Sequence, residues 1–182
     1  MAFGFEELTP DVRRRAREEL ERELSAPPIY FSPRLSAIGK RQFYRHVGEA
    51  LDFGNVESLE AALLDGRLWN ETEEWTRDGT TRTRKVNHVA NAKMMAITEF
   101  NTWYVRGLCS ILLDAGIADC EVYRAGAAWE PRAECLEHDG RTYAVLDVYN
   151  GHRIRYWPEP GQREAFSIPV GPNCHHTIRR VP

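Results

Sequence analysis

The chain has 182 residues, of which 42% are hydrophobic and 28% are charged, and its formal net charge is −3. This length supports one compact core, or a smaller core with an extended segment. The slightly acidic balance gives no indication of a nucleic-acid partner, so any basic surface must be local. No stretch approaches the roughly 20 apolar residues of a membrane span. The N-terminal residues are acidic where a signal peptide is positive, so we expect synthesis in the cytoplasm and no membrane contact.

Residues 1–31 are predicted to form a helical arm and a linker. Thr9 is a suitable N-cap and Pro10 a suitable first helical residue, and Pro27-Pro28 ends the helix. The apolar residues of this helix recur every four positions and the side chains between them are charged: Val12, Ala16, Leu20 and Leu24. Such a narrow stripe predicts a helix that docks by one seam, onto a partner or onto the body of the chain, with an ordinary surface helix as the alternative.

Residues 32–116 are predicted to be helical. Ser32-Pro33 indicates the start of a second helix and Phe53-Gly54 its end, and a short third helix runs from the cap Asn55 to Gly66. The segment from Trp69 to Thr81 has no periodicity and is predicted to be a loop.

A long central helix is predicted from Thr83 to Ala115, because apolar residues cover much of its surface. We expect a break near Asn101, where polar residues interrupt the stripe. The helix is predicted to pack on the second helix through five residues: Met94, Ile97, Trp103, Tyr104 and Leu108.

Residues 117–182 are predicted to form a small β unit with a loop-rich Cys/His tail. Cys120–Ala125 and Thr142–Val148 have the composition of strands, and His138–Arg141 that of a turn. The fold class is therefore α+β, with helices in the first two-thirds of the chain.

Two short knuckles in this last third are candidates for a structural zinc site. Cys135 and His138 have two residues between them, and Cys174 and His176 have one. Together they offer the mixed Cys/His tetrahedral ligand set that zinc prefers. Alternatively, the cysteines are buried as small hydrophobic residues and the histidines are exposed. The irregular spacing of all four cysteines, which include Cys109 and Cys120, does not suggest a disulfide framework.

The last half of the chain resembles minor head proteins of tailed bacteriophages, the head-morphogenesis family that includes the Mu-like phages. The resemblance rests on residues 134–143 (Glu-Cys-Leu-Glu-His-Asp-Gly-Arg-Thr-Tyr), on residues 168–178 with their Pro-Asn-Cys knuckle, and on the long helix that ends at Gly116-Ile117. Many relatives have further cysteines where this chain has Arg132 and His176. If a metal binds, His138 and His176 take the place of the missing thiols.

The resemblance implies a structural protein of the virion with a Mu-like minor capsid C-terminal domain. Such a protein associates with the portal and the major capsid protein, assists head assembly and handles packaged DNA. Non-specific phosphate contact is then expected from a local basic run: Arg82, Arg84 and Lys85. The alternative for this run is a solvated surface.

The leading alternative function is a zinc-dependent hydrolase or nuclease, with Glu137 or Asp139 as general base beside a metal-bound water. The chain has no His-Glu-x-x-His motif, nucleophile elbow, phosphate-binding glycine loop or dinucleotide fingerprint. We therefore predict a protein that is not an enzyme. A host interaction module unrelated to phage is the third class.

Overall fold

The computed structural model describes residues 3–126, 133–159 and 161–181, and it has the predicted mixture of helices and small sheets. Its helices are α1 (Pro10–Ser25), α2 (Ala37–Phe53), α3 (Val56–Leu63), a short 3-10 helix (Gly66–Leu68), α4 (His88–Asp114), α5 (Ala133–His138) and α6 (Val145–Asn150). Its strands are β1 (Thr72–Arg77), β2 (Thr80–Lys85), β3 (Asp119–Arg124), β4 (Thr142–Ala144) and β5 (His176–Arg180). No helix in these ranges is long and apolar enough to span a membrane.

Most of the predicted helix ends are confirmed. Thr9 caps α1, Asn55 caps α3 through a reciprocal bond with Ser58, and Gly54 ends α2. The start of α2 is displaced, because Ser36 rather than Ser32 accepts from the backbone N–H of Gly39. Gly66 does not close α3, which ends at Leu63; instead it begins the 3-10 helix.

The long helix α4 links two hydrophobic clusters. Phe100 and Trp103 pack in the first cluster with side chains of α1, α2 and α3, which include Phe43 and Val47. Tyr104 and Leu108 belong to the second cluster, with strands of the C-terminal sheet. Of the five residues predicted to pack on α2, Trp103 belongs to the cluster that contains α2 side chains and Ile97 packs against it, whereas Tyr104 and Leu108 belong to the other cluster and Met94 belongs to neither. The expected break near Asn101 is absent, since α4 is continuous through it.

Helix α1 does not stand apart as an arm, because it packs along α4 and so docks onto the body of the chain. Ala16 and Leu20 are buried in the first cluster and Val12 in the second. The two helices approach closely at Gly107, where an added Cβ would lie 2.6 Å from the backbone nitrogen of Ala16. The apolar seam of α1 is thus filled by the chain itself and is not available to a partner.

The segment predicted as a loop from Trp69 to Thr81 contains a β-hairpin. Strands β1 and β2 pair antiparallel. Residues Thr83 to Lys85, predicted as the start of the central helix, belong instead to β2. Asp78 and Gly79 form the turn with φ values of 51° and 73°, the backbone signs that a tight hairpin turn needs. All six residues of β2 are exposed.

The C-terminal sheet has the strand order β4-β3-β5 and both pairings are antiparallel. The prediction for β3 is confirmed. The second predicted strand ends at Ala144, and the rest of it forms α6. Strand β5 was not predicted, because it follows a Pro- and Gly-rich segment and has no alternating pattern.

Candidate functional site

Strand β5, which begins at one of the predicted ligands, is fastened to α4 by buried polar groups. Asn101 is fully buried; its side-chain amide donates to the carbonyl of His176 at 2.7 Å and accepts from the Thr177 hydroxyl at 2.6 Å. One turn further along, the Tyr104 hydroxyl donates to the carbonyl of Ile178 at 3.2 Å. The polar residue that interrupts the apolar stripe of α4 therefore positions the C-terminal strand.

The first predicted knuckle lies on α5. Cys135 is half-buried and His138 is buried. The Nδ1 atom of His138 forms a short hydrogen bond with the Tyr143 hydroxyl, and burial raises the pKa of that tyrosine. The His138 ring stacks on Trp157, with ring centroids 4.1 Å apart and planes inclined by 4°.

The second knuckle leads into β5. Cys174 and His176 are both buried, and the His176 ring meets Trp157 edge-on at a centroid distance of 5.5 Å. Burial lowers the pKa of His176, an effect that the carboxylate of Asp139 opposes. Neither ring nitrogen of His176 has a hydrogen-bond partner within the described part of the chain.

Trp157 thus contacts the predicted ligand from each knuckle, flat against His138 and edge-on against His176. Among the residues that the structure describes, no group of three or more His, Cys, Asp and Glu side chains has the arrangement of a metal site. The four predicted ligands are accordingly not gathered into such a group within the described ranges. The two ring nitrogens of His176 have no hydrogen-bond partner in the described part of the chain, so either one could bind a metal ion.

Zinc binding remains a prediction, and metal analysis of the purified chain tests it. About one zinc per chain, lost in both Cys135→Ser and Cys174→Ser, would mean that the knuckles close on the ion. Unchanged metal content in these variants would leave the cysteines as packing residues. Arg132, which stands beside the first knuckle in the sequence, lies outside the described residues.

A second polar cluster lies where α1, α4 and α6 meet. Glu19 is 2% exposed, and one of its carboxylate oxygens accepts from Nε of Arg106 at 3.0 Å. The other oxygen accepts from the Tyr149 hydroxyl at 3.0 Å. Arg106 stacks over the Tyr149 ring at 4.0 Å and donates to its carbonyl. The charge pattern of α1 predicts that these residues are solvated, so the burial of the Glu19 carboxylate could not be seen in the sequence.

The cluster continues through Arg153, which bridges two helices. Its guanidinium donates to Glu23 of α1 at 3.0 Å and to Glu99 of α4 at 3.2 Å. His152 forms a short contact with the other oxygen of Glu23. Burial by itself would raise the pKa of Glu23, but hydrogen bonds from His152 and Arg153 outweigh it and lower the pKa.

This cluster joins neighbouring elements of the fold through ion pairs. Its carboxylates are each paired with an arginine, and the pairs connect α1 to α4 and both helices to Arg153. A small cavity beside it is lined by Arg106, His152 and Arg153 together with Thr98 and Ser167.

The remaining predicted site residues are exposed. Glu137 and Asp139 lie at the end of α5 and in the turn that follows it. Arg82, Arg84 and Lys85 all lie on β2. The candidate general bases and the candidate phosphate contacts are therefore on separate elements.

Comparison with protein-family models, with curated proteins and with solved structures finds no match to this chain.

Proposed function

We propose that this protein is a minor head protein of a tailed bacteriophage, a virion component that binds the portal and major capsid proteins. The observation that carries the proposal is the spatial arrangement of the three segments that resemble the family. Residues 134–143 and 168–178 end in strands that pair with the two edges of β3, and α4 lies against the same sheet. Three segments that are separate in the sequence thus form one folded unit.

The partner surface belongs on this unit and not on α1, whose seam is filled. In the C-terminal third of the chain, the two most exposed of the large apolar side chains in the described residues are Leu136, at 57%, and Leu146, at 52%. An exposed apolar side chain contributes about 25 cal/mol per Å² of apolar area when a partner removes it from water. We therefore expect Leu136 and Leu146 to contact a head protein.

The test is co-purification of the tagged chain with heads assembled from the portal and major capsid proteins of the same phage. The variant Leu136→Asp/Leu146→Asp is expected to lose most of this association and keep its circular dichroism spectrum. Phe53→Asp, a change at a 93% exposed residue on α2, is the matched control and is expected to associate normally. Equal loss in both variants, or no association of the wild type, would contradict the proposal.

A metal-dependent nuclease and hydrolase screen of the same preparations tests the alternative. Turnover that is lost in Glu137→Gln or Asp139→Asn, without any head association, would replace this proposal by the zinc-dependent hydrolase. The proposed function predicts no turnover in any of the preparations.

A further inference from the structure

The hairpin formed by β1 and β2 has two chemically different faces. Side chains alternate along a strand, and directly paired residues share a face. The register pairs Trp75 with Arg82, Glu73 with Arg84 and Arg77 with Thr80. One face of the hairpin therefore carries three arginines around a tryptophan, and we call it the arginine face.

The opposite face is mostly neutral. It pairs Thr76 with Thr81 and Glu74 with Thr83, and the two hydroxyls of the first pair are 3.1 Å apart. Lys85, paired with Thr72, also lies on this face. The hairpin, residues 72–85, contains four basic and three acidic residues, and three of the four basic residues lie on the arginine face.

Arg84 is held in place at the base of the arginine face. Its Nε donates to Glu73 at 2.8 Å, and its guanidinium lies over the Trp75 ring, 5.5 Å from the centroid. Glu73 also binds Arg34, so two guanidinium groups share this carboxylate. Trp75 is half-buried beneath Arg84, so it positions that arginine and does not present an open ring for stacking bases.

The other two arginines are directed into solvent. Arg82 has no ion pair or hydrogen-bond partner among the described residues, and Arg77 contacts only the turn residue Asp78, at 3.6 Å. Both side chains are exposed. A guanidinium group carries five N–H donors in a fork that fits phosphate oxygens, which makes it the preferred side chain for phosphate recognition.

We propose that the arginine face binds the phosphodiester backbone of duplex DNA without reading its sequence, through Arg77, Arg82 and Arg84. A two-stranded ribbon has the dimensions to lie along a groove of the duplex, and its guanidinium groups then replace condensed cations at the phosphates. Lys85 is excluded from the contact because it lies on the other face. This inference rests on the proposed function for its biological setting, and it gives the DNA-handling role a defined surface.

The experiment measures binding of the full chain to two fluorescent 30-base-pair duplexes of unrelated sequence over a range of salt concentrations. Both duplexes are expected to bind equally. The plot of log K against log salt concentration has a negative slope. Its magnitude should decrease by about 1 in Arg82→Gln and by about 2 in Arg77→Gln/Arg82→Gln. Lys85→Gln, an equal loss of charge on the opposite face of the same strand, is the control and should leave the slope unchanged.

Several outcomes would overturn the inference: no binding at low salt, an equal effect of Lys85→Gln, or tighter binding to a single-stranded 30-mer that Trp75→Leu abolishes. The double variant should still co-purify with assembled heads, because the proposed head contacts lie on the C-terminal unit. DNA binding without head association would refute the proposed function and leave the arginine face intact as a DNA site. Head association without DNA binding would refute only the inference.

Discussion

Glu19 of α1 and Arg106 of α4 form an ion pair in the interior, with side chains that are only 2% and 15% exposed. Arg106 is also fixed by Tyr149, through the stacked ring and through the carbonyl that accepts from it at 2.7 Å. One charged pair therefore joins α1, α4 and α6. Loss of Arg106 would leave the buried Glu19 carboxylate with the Tyr149 hydroxyl and the 60% exposed Arg22 as its partners.

The first prediction concerns this pair. Arg106→Met should lower the free energy of unfolding by about 3 kcal/mol, the lower end of the loss for a broken buried pair, because Glu19 loses its buried guanidinium and keeps only Arg22 and the Tyr149 hydroxyl. Urea denaturation measures the change. Arg14→Met, which removes a 56% exposed arginine from a pair with Glu18 four residues later on α1, should cost no more than about 0.5 kcal/mol. Similar losses of stability in the two variants would show that the buried pair contributes no more than an exposed one.

The second prediction concerns acid stability. The pKa of Glu23 is lowered below its ordinary value of 4.5 in the folded protein. The unfolded state then binds more protons in this range, so the contribution of Glu23 is complete above pH 4.5 and is lost as the pH falls through the folded-state pKa. Glu23→Gln should therefore be less stable than the wild type at neutral pH, and the difference should shrink in acid.

Denaturation curves at a series of pH values test this dependence. Glu21→Gln is the matched control, because Glu21 lies two residues away on the exposed side of α1, where it pairs with Arg17. We expect its stability to follow that of the wild type across the series. A constant difference between Glu23→Gln and the wild type at every pH would contradict the prediction.

The third prediction compares two glycines within helices. A Cβ at Gly107 would lie 2.6 Å from both the backbone nitrogen of Ala16 and the carbonyl oxygen of Val12, so α1 and α4 would have to separate. Gly107→Ala should cost about 1–3 kcal/mol, even though alanine favours helix by up to about 1 kcal/mol. A thermal unfolding scan measures the loss.

Gly48→Ala on α2 is its control. The atoms nearest to that added Cβ belong to the guanidinium group of Arg17, which is the end of a flexible side chain and can move aside. This variant should be neutral or slightly stabilised. A loss equal to that of Gly107→Ala would mean that the close approach of the α1 and α4 backbones is not the cause.

The local features of the fold could be predicted from the sequence, because each depends on a few neighbouring residues. The caps at Thr9 and Asn55 and the stop at Gly54 satisfy backbone groups within one turn of helix. The hairpin around Asp78-Gly79 has a local turn signal, but its strands carry polar side chains on both faces. Without an apolar alternation, the pattern resembles that of a loop.

The tertiary roles of polar residues could not be predicted. Glu19 lies in a run of charged residues on α1, and its burial is explained by the approach of Arg106, 87 positions later, and of Tyr149, 130 positions later. In the candidate site, the Cys/His pattern predicted His138 and His176 as ligands of one metal ion. It did not indicate Trp157, which packs against both His138 and His176. Such contacts depend on the finished chain path and leave no periodic signal.

The long sequence separation within the buried charge cluster has a consequence for the kinetics of folding. Glu19 and Tyr149 are 130 positions apart, as are Glu23 and Arg153, so these contacts close very large loops. Loop closure must be completed before the contact energy is gained, and chains with such distant contacts fold slowly. Before residues 149–153 fold onto α1, Glu19 lacks the Tyr149 hydroxyl and Glu23 lacks His152 and Arg153. Helix α1 is therefore expected to reach its final position late, after the C-terminal segment has folded onto α4.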